Sequence, residues 1–299
     1  MDDIINGLEK SKYDIKENVS FKTLTTYKTG GVCKYLISPF EVLALIELLK
    51  VLKENNIKFK IFGNGSNILA SDKVYDGVII RLDKFNKVKV DGDIVYAEAF
   101  VNLISLSLTC LNNNFTGFEW ASGIPGTVGG ACYMNAGAYL KSVSDVLISV
   151  TVLDENYDVV EIPLKDLKFG YRKSSLMDKG YIILGAKFKL SKGCYDDILN
   201  LVTERRERRY KSQPLNYPSA GSVFRNPEGD YAGRLIEECN LKGYVKGGAK
   251  ISDMHANFIV NYDNATSSDV KDLIELAKLK VHEKFNIDLK CEQELFNWE

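Results

Sequence analysis

Apolar residues recur along the chain in two periods, and the switches between them mark out its elements. Residues 1–20 are polar with a weak helical pattern, a lead-in to the first glycine turn. After that turn, Tyr27-Lys28-Thr29-Gly30-Gly31, an alternating run passes through Val32, Tyr35 and Ile37. Ser38-Pro39-Phe40-Glu41 then offers a cap, a proline in the first turn and a glutamate three residues after the cap, which predicts a helix opening there. Val42, Leu45, Ile46, Leu49 and Leu52 form its inner face, and Asn55-Asn56 ends it. Residues 57–62 alternate as a strand and deliver the chain into a further glycine turn, Gly63-Asn64-Gly65-Ser66-Asn67. Val78-Ile79-Ile80 is a short apolar run. Val88 and Val90 face Ile94 and Tyr96 across an Asp91-Gly92 hairpin turn. A helix over about 101–111 directs Leu103, Leu106, Leu108 and Leu111 inward, and strands are expected at 146–153, 159–162 and 181–184.

The second half changes character near residue 195. A charged helix through Thr203-Glu204-Arg205-Arg206-Glu207-Arg208-Arg209-Tyr210-Lys211 leads into a proline-bearing linker, Gln213-Pro214-Leu215-Asn216-Tyr217-Pro218, which reads as a domain boundary. The interleaved glutamates suit a solvated face, and an arginine or Lys211 meeting an anionic substrate is the sharper alternative. Beyond it the pattern predicts a helix over 231–239 and a strand over 255–261. A long helix starts near Ser267 or Ser268, with Val270, Leu273, Ile274, Ala277, Val281 and Phe285 inward. A final strand over 289–295 places Glu292 opposite Leu289, Cys291 and Leu295.

Between the halves lies the stretch the chain is organised around: Gly123-Ile124-Pro125-Gly126-Thr127-Val128-Gly129-Gly130-Ala131, then Asn135-Ala136-Gly137-Ala138. Such backbone turns sharply and lets another group come close. Its free N–H groups suit an anion, above all a phosphate. A glycine-rich surface loop carries Ser, Asp, Asn and Lys, whereas these spacers are mostly apolar, so a buried ligand with a phosphate and a flat apolar part is expected. A Rossmann fingerprint at Gly63-Asn64-Gly65 fails, because Ile68 holds the sixth position and no amphipathic helix comes after it. No G-x-x-x-x-G-K-[ST] occurs.

Composition narrows the partners. The 299 residues are 45% hydrophobic with a net charge of −1, which implies no general nucleic-acid surface. Six scattered cysteines and two histidines form neither a metal-spaced cluster nor a disulfide framework. The acidic N-terminus lacks an apolar leader, so a cytoplasmic protein without membrane insertion is expected.

Five motifs in order carry a family resemblance: Tyr27-Lys28-Thr29-Gly30-Gly31, Gly63-Asn64-Gly65-Ser66-Asn67, Gly123 to Gly130, Tyr171-Arg172-x-Ser174, and Pro218-Ser219-Ala220-Gly221-Ser222-Val223-Phe224-Arg225-Asn226-Pro227. In this order they resemble the UDP-N-acetylenolpyruvoylglucosamine reductases over about residues 20–295. The resemblance implies an α+β chain: a two-lobed FAD-binding domain of the vanillyl-alcohol-oxidase (PCMH) type, then a smaller α/β substrate-binding domain. The expected division is a lead-in at 1–20, the FAD domain at 21–194 (lobes about 21–82 and 83–194) and the substrate domain at 195–299.

The resemblance further implies that NADPH reduces non-covalently bound FAD. The enolpyruvyl group of UDP-N-acetylglucosamine enolpyruvate is then reduced to UDP-N-acetylmuramate for peptidoglycan, by a monomer. The expected FAD contacts are Thr29, Gly30, Gly31, Gly63, Asn64, Gly65, Ser66, Asn67, Gly123, Pro125, Gly126, Thr127, Gly129, Gly130, Asn135 and Gly137. Arg172, Ser222 and Glu292 match the catalytic positions, and Tyr171, Lys211 and Asn226 the substrate contacts. Hydride addition to the methylene carbon builds charge on the neighbouring carbon and its carboxylate, which suits the guanidinium of Arg172. The carbon must then gain a proton, for which Ser222 is the donor. Glu292 polarises or hydrogen-bonds the substrate carboxylate. Where the family pattern has Glu-Val-Arg and an apolar-Gly ending, this chain reads Glu292-Gln293-Glu294-Leu295-Phe296-Asn297. Arg172 and Ser222 lie only 50 residues apart, which leaves no room for the tyrosine-bearing loop of one branch and assigns the chain to the shorter one. Arg208, Lys211 or Tyr244 is left to cover the diphosphate. A flavin oxidase of the same superfamily and a non-catalytic nucleotide-sugar binder are the competing readings.

Overall fold

The computed structural model describes residues 1–299 as two compact units interleaved along the chain. The first comprises residues 1–16, 36–63 and 78–208; the second, 17–35, 64–77 and 209–299. The turn at Tyr27 and the stretch from Asn64 therefore fold with the C-terminal residues.

The first unit is built on a five-stranded antiparallel sheet in the order Val159–Pro163, Leu147–Leu153, Ile182–Lys189, Ile94–Glu98, Val88–Asp91. The mostly exposed edge strand Val159–Pro163, the largely buried Leu147–Leu153 and the near-continuously buried Ile182–Lys189 mark an edge-to-centre gradient. Helix Val128–Met134 packs on the central strands Ile182–Lys189 and Ile94–Glu98. Phe118 anchors the core, its ring 5.2 Å from those of both Trp120 and Phe188. A parallel pairing sets Phe59 to Phe62 against Val78 to Arg81, joined to helix Val42–Glu54, whose buried residues are Ala44, Leu45, Leu48, Leu49 and Leu52.

In the second unit, Val245–Lys246, Ala249–Ile251 and Ile259–Asn261 form an antiparallel sheet beneath helices Ala232–Glu238 and Ser267–Phe285. The core of Val270, Leu273, Ile274, Ala277 and Val281 also takes in Tyr27 and Leu69. Strand Glu294–Phe296 runs parallel to Ile68–Ala70. The Asp72 carboxylate accepts from the N–H groups of Ser267 and Ser268, each at 2.9 Å, and closes the free amides of the long helix.

Several sequence expectations change. The lead-in contains a helix, Asp2–Asn6, and a strand, Tyr13–Ser20. Ser38 and Pro39 end strand Val32–Pro39 rather than opening a helix, and Glu41 takes the cap position without a side-chain bond; proline is tolerated there because a strand's last residue can forgo its N–H. Ile46 and Val42 are only half-buried, and the stripe runs one residue over. In the hairpin, Val90 pairs Val95 and Val88 pairs Ala97, a one-residue shift, with Gly92-Asp93 as the loop. Leu108 is exposed while Cys110 is buried. The expected strand at 255–261 contracts to Ile259–Asn261, and the last strand is Glu294–Phe296 rather than 289–295. The second half of the glycine stretch is helical from Val128, capped by the Thr127 hydroxyl accepting from the Gly130 N–H.

Candidate active site

The first unit brings Arg172 to the end of the glycine stretch. Tyr171 and Arg172 are the two-residue loop between Phe169–Gly170 and Lys173–Ser174, and Arg172 sits at φ 53°. A left-handed arginine is costly where glycine is the easy choice. The Arg172 guanidinium donates to the carbonyl of Gly137 at 2.9 Å and lies 5.0 Å from the centre of the exposed Tyr171 ring. Asn135 holds the hairpin: its amide donates to the carbonyl of Gly170 at 2.9 Å and accepts from the Ser144 N–H at 3.2 Å. It also ends helix Val128–Met134 in the left-handed region. Ser174 adds a bond to the carbonyl of Tyr133 at 2.6 Å.

The glycines divide by what surrounds them. A Cβ on Gly63 would lie 2.7 Å from the Thr127 hydroxyl, so this turn and the central stretch meet inside the first unit. A Cβ on Gly137 would collide with the carbonyl of Lys141, on the facing strand next to its partner Ser142, and one on Gly129 would press on Ala99 at 3.2 Å. At Gly130 it would find only the Thr127 hydroxyl, at 3.4 Å. Gly123, Pro125 and Gly126 lie half-buried or exposed just before this helix.

The second unit brings Ser222 and Glu292 together. The Glu292 N–H donates to the carbonyl of Val223 at 2.8 Å, Phe224 bridges Cys291, and the Arg225 N–H donates to the carbonyl of Lys290 at 2.9 Å. Asn67 joins them, its amide donating to the carbonyl of Glu292 at 3.0 Å while its carbonyl accepts from the Glu294 N–H at 2.9 Å. Asn257, buried, holds the other side of the serine loop as a strand would: its carbonyl accepts from the Val223 N–H, its side-chain oxygen from the Phe224 N–H, both at 2.9 Å, and its amide donates to the carbonyl of Phe224 at 2.8 Å.

Other expected contacts have partners in the protein. Thr29 is fully buried, bonded through its hydroxyl to Ser267 at 2.9 Å. Gly30, Gly31 and Gly65 pack against Phe21, Lys73 and Leu24. The exposed Asn226 accepts from the Ala232 N–H at 3.1 Å, at the start of helix Ala232–Glu238. Asn64 and Ser66 are half-buried, and Lys211 is exposed on the last turn of helix Tyr195–Ser212. Arg172 belongs to the first unit; Ser222 and Glu292 belong to the second. Sequence reasoning missed Asn257, although an asparagine inside the apolar run Ala256 to Val260 is a signal of a buried polar group with a task.

Residues 33–162 match the family described as "FAD binding domain", and residues 213–296 match "UDP-N-acetylenolpyruvoylglucosamine reductase, C-terminal domain". The UDP-N-acetylenolpyruvoylglucosamine reductase of Clostridium novyi is 41% identical over 292 residues, covering 97% of this chain and 95% of its own. That of Caldanaerobacter subterraneus is 44% identical over 290 residues, 95% and 96% of the two chains. The crystal structure of the Thermus caldophilus enzyme superposes with a TM-score of 0.82 at 32% identity, over 95% of this chain and 99% of that one.

Proposed function

The chain belongs to the UDP-N-acetylenolpyruvoylglucosamine reductases, FAD-dependent oxidoreductases of peptidoglycan synthesis, and from that premise we propose that it uses NADPH to reduce the enolpyruvyl group of UDP-N-acetylglucosamine enolpyruvate to UDP-N-acetylmuramate, with Ser222, Arg172 and Glu292 as its catalytic residues. The proposal places it in the cytoplasm as a monomer; no helix is long and apolar enough to cross a membrane.

The first unit's residues fit FAD on two observations. Gly130 is exposed, and a Cβ there would touch only the Thr127 hydroxyl, at 3.4 Å, so a flat or anionic group can approach its backbone. Ser122, which opens the glycine stretch, is 2% exposed, and its hydroxyl has no partner within the protein, as suits a donor reserved for a ligand. Bound FAD supplies a two-electron carrier between NADPH and the enolpyruvyl carbon.

The chain's own residues do the rest. Charge grows on the carbon bearing the carboxylate as hydride arrives at its neighbour, and the Arg172 guanidinium, held by the carbonyl of Gly137, stabilises it. Glu292 orients the substrate carboxylate by hydrogen bonding. Ser222 passes its hydroxyl proton to the carbanion-like carbon, a stronger base than any oxygen nearby. The observation that supports this division most is the direct backbone bond from Glu292 to Val223, which fixes the acid-bearing segment to the serine loop. Lys211 and Asn226 are assigned to the diphosphate or uridine.

Anaerobic titration tests the proposal. NADPH should bleach the yellow protein, and UDP-N-acetylglucosamine enolpyruvate should restore the colour with one equivalent of UDP-N-acetylmuramate formed. Colour restored by oxygen alone would contradict it.

A further inference from the structure

Three stretches far apart in sequence meet at the side chain of Gln293, one of the residues that depart from the family pattern. Gln293 is 4% exposed. Its side-chain oxygen accepts from the phenol of Tyr27 at 3.1 Å, and its amide nitrogen donates to the carbonyls of Ala220 at 3.1 Å and Gly221 at 3.2 Å. Tyr27 is fully buried, and burial raises its phenol's pKa, so the phenol remains a donor. A carboxamide suits this place because it offers an acceptor at one corner and two N–H donors at the other. An aliphatic chain would leave the buried Tyr27 phenol and Ala220 carbonyl, and the half-buried Gly221 carbonyl, without this partner, and a carboxylate would face two carbonyl oxygens.

Gly221, at φ 73°, is the bend that turns the chain into Ser222. Gln293 grips the carbonyl of that bend, and Asn257 with Glu292 grips the N–H and carbonyl of Val223. Ser222 is thus held by the peptide groups on both sides, while its own side chain bonds to nothing in the protein and remains free to turn toward substrate.

We propose that Gln293 is a positioning residue for the proton donor: it fixes the Gly221-Ser222 peptide, and with it the point from which the Ser222 hydroxyl delivers its proton, and couples that point to the turn that begins at Tyr27. The proposal rests on the reading of Ser222 as proton donor. Small displacements of a donor are expensive, on the order of 10²-fold for about 1 Å, whereas flavin reduction by NADPH needs no proton from Ser222.

Gln293→Met, close in size and without the hydrogen bonds, separates the two half-reactions. Measured by stopped flow and normalised to bound flavin, reduction by NADPH should stay within about twofold of the parent, and reoxidation by the enolpyruvyl substrate should slow by about 10- to 100-fold. Hydrogen exchange in the peptide 219–226 of the flavin-free protein should quicken. Reoxidation at the parent rate, or an equal fall in both steps, overturns the proposal. Ser222→Ala runs alongside: if it reoxidises at the parent rate, the proton-donor reading itself has failed; if it is slow while Gln293→Met is not, only the role of Gln293 has failed. Should Gln293→Met not fold, Tyr27→Phe, which removes one of the bonds, should slow reoxidation alone by about 2- to 5-fold, and an unchanged rate there overturns the proposal.

Discussion

The backbone N–H of Glu292 lies 2.8 Å from the carbonyl oxygen of Val223, so the segment carrying the glutamate, just ahead of strand Glu294–Phe296, is tied directly to the loop carrying Ser222. Bonds from Arg225 to Lys290 and from Asn67 to Glu292 continue the pairing. A ladder of this kind fixes the backbone positions from which the two functional side chains project.

Arg172 should be dispensable for stability and indispensable for chemistry. Its left-handed backbone costs about 1 kcal/mol, and its bond to Gly137 contributes about 1 kcal/mol, so in Arg172→Gly the relief of strain offsets part of the loss of the guanidinium's contacts and Tm should fall only modestly. Reoxidation by the enolpyruvyl substrate should fall by about 10²- to 10³-fold. Scanning fluorimetry and stopped flow read the two; a variant that reoxidises at the parent rate would remove Arg172 from the mechanism.

Gly129 and Gly130 should part company. Gly129→Val drives a side chain into Ala99 and should cost about 1–3 kcal/mol of stability in the flavin-free protein. Gly130→Val meets only Thr127 within the protein, and replacing a helical glycine should leave that stability equal or higher. Its flavin content on purification should nonetheless collapse. A fully yellow Gly130→Val protein would show that the cofactor does not approach this residue.

The flavin should be released whole by acid precipitation. Cys132 and Cys110 are buried, and burial pushes each thiol up to about 12, so neither supplies the thiolate that covalent attachment requires. No histidine precedes His255. Colour left in the pellet would contradict this.

Much of the helical framework was legible because periodicity survives in a long helix: the inner face of Ser267–Phe285 holds from Val270 to Val281. Short elements were not, since the strand Glu294–Phe296 exists through its pairing with Ile68–Ala70 more than two hundred residues away. The glycines were legible as places of close approach, but not as to what approaches. Gly31, Gly65 and Gly137 admit backbone oxygens of Lys73, Leu24 and Lys141, whereas at Gly130 a Cβ would touch only the Thr127 hydroxyl. The buried amides show the same limit. Asn135, expected to touch a ligand, clamps the Arg172 hairpin, and Gln293, visible in sequence as a departure, acquires its meaning from Tyr27 and Gly221.

His255 should make the second unit sensitive to mild acid. Burial chiefly, helped by the charge of Lys242, pulls its pKa below the ordinary imidazole value, while Glu237 opposes the shift. The unfolded chain therefore takes up this proton first, so the contribution to stability is complete above about pH 6.5 and is lost as the pH falls below that value. Protonation would also remove the acceptor at Nδ1 for the Asn257 N–H, 3.2 Å away. His255→Gln should lose less Tm than the parent between about pH 7 and 5; parallel curves would show that the imidazole is not the titrating group.

The measurement closest to the central claim compares the two half-reactions in Ser222→Ala. Hydride transfer from NADPH to the flavin involves no proton from this residue, whereas completing the reduced carbon does. Rapid anaerobic mixing with NADPH, and then with UDP-N-acetylglucosamine enolpyruvate, should give flavin reduction near the parent rate and reoxidation slower by about 10²- to 10⁴-fold. Reoxidation of the alanine variant at the parent rate would contradict the account, and the proton would then come from Glu292 or water.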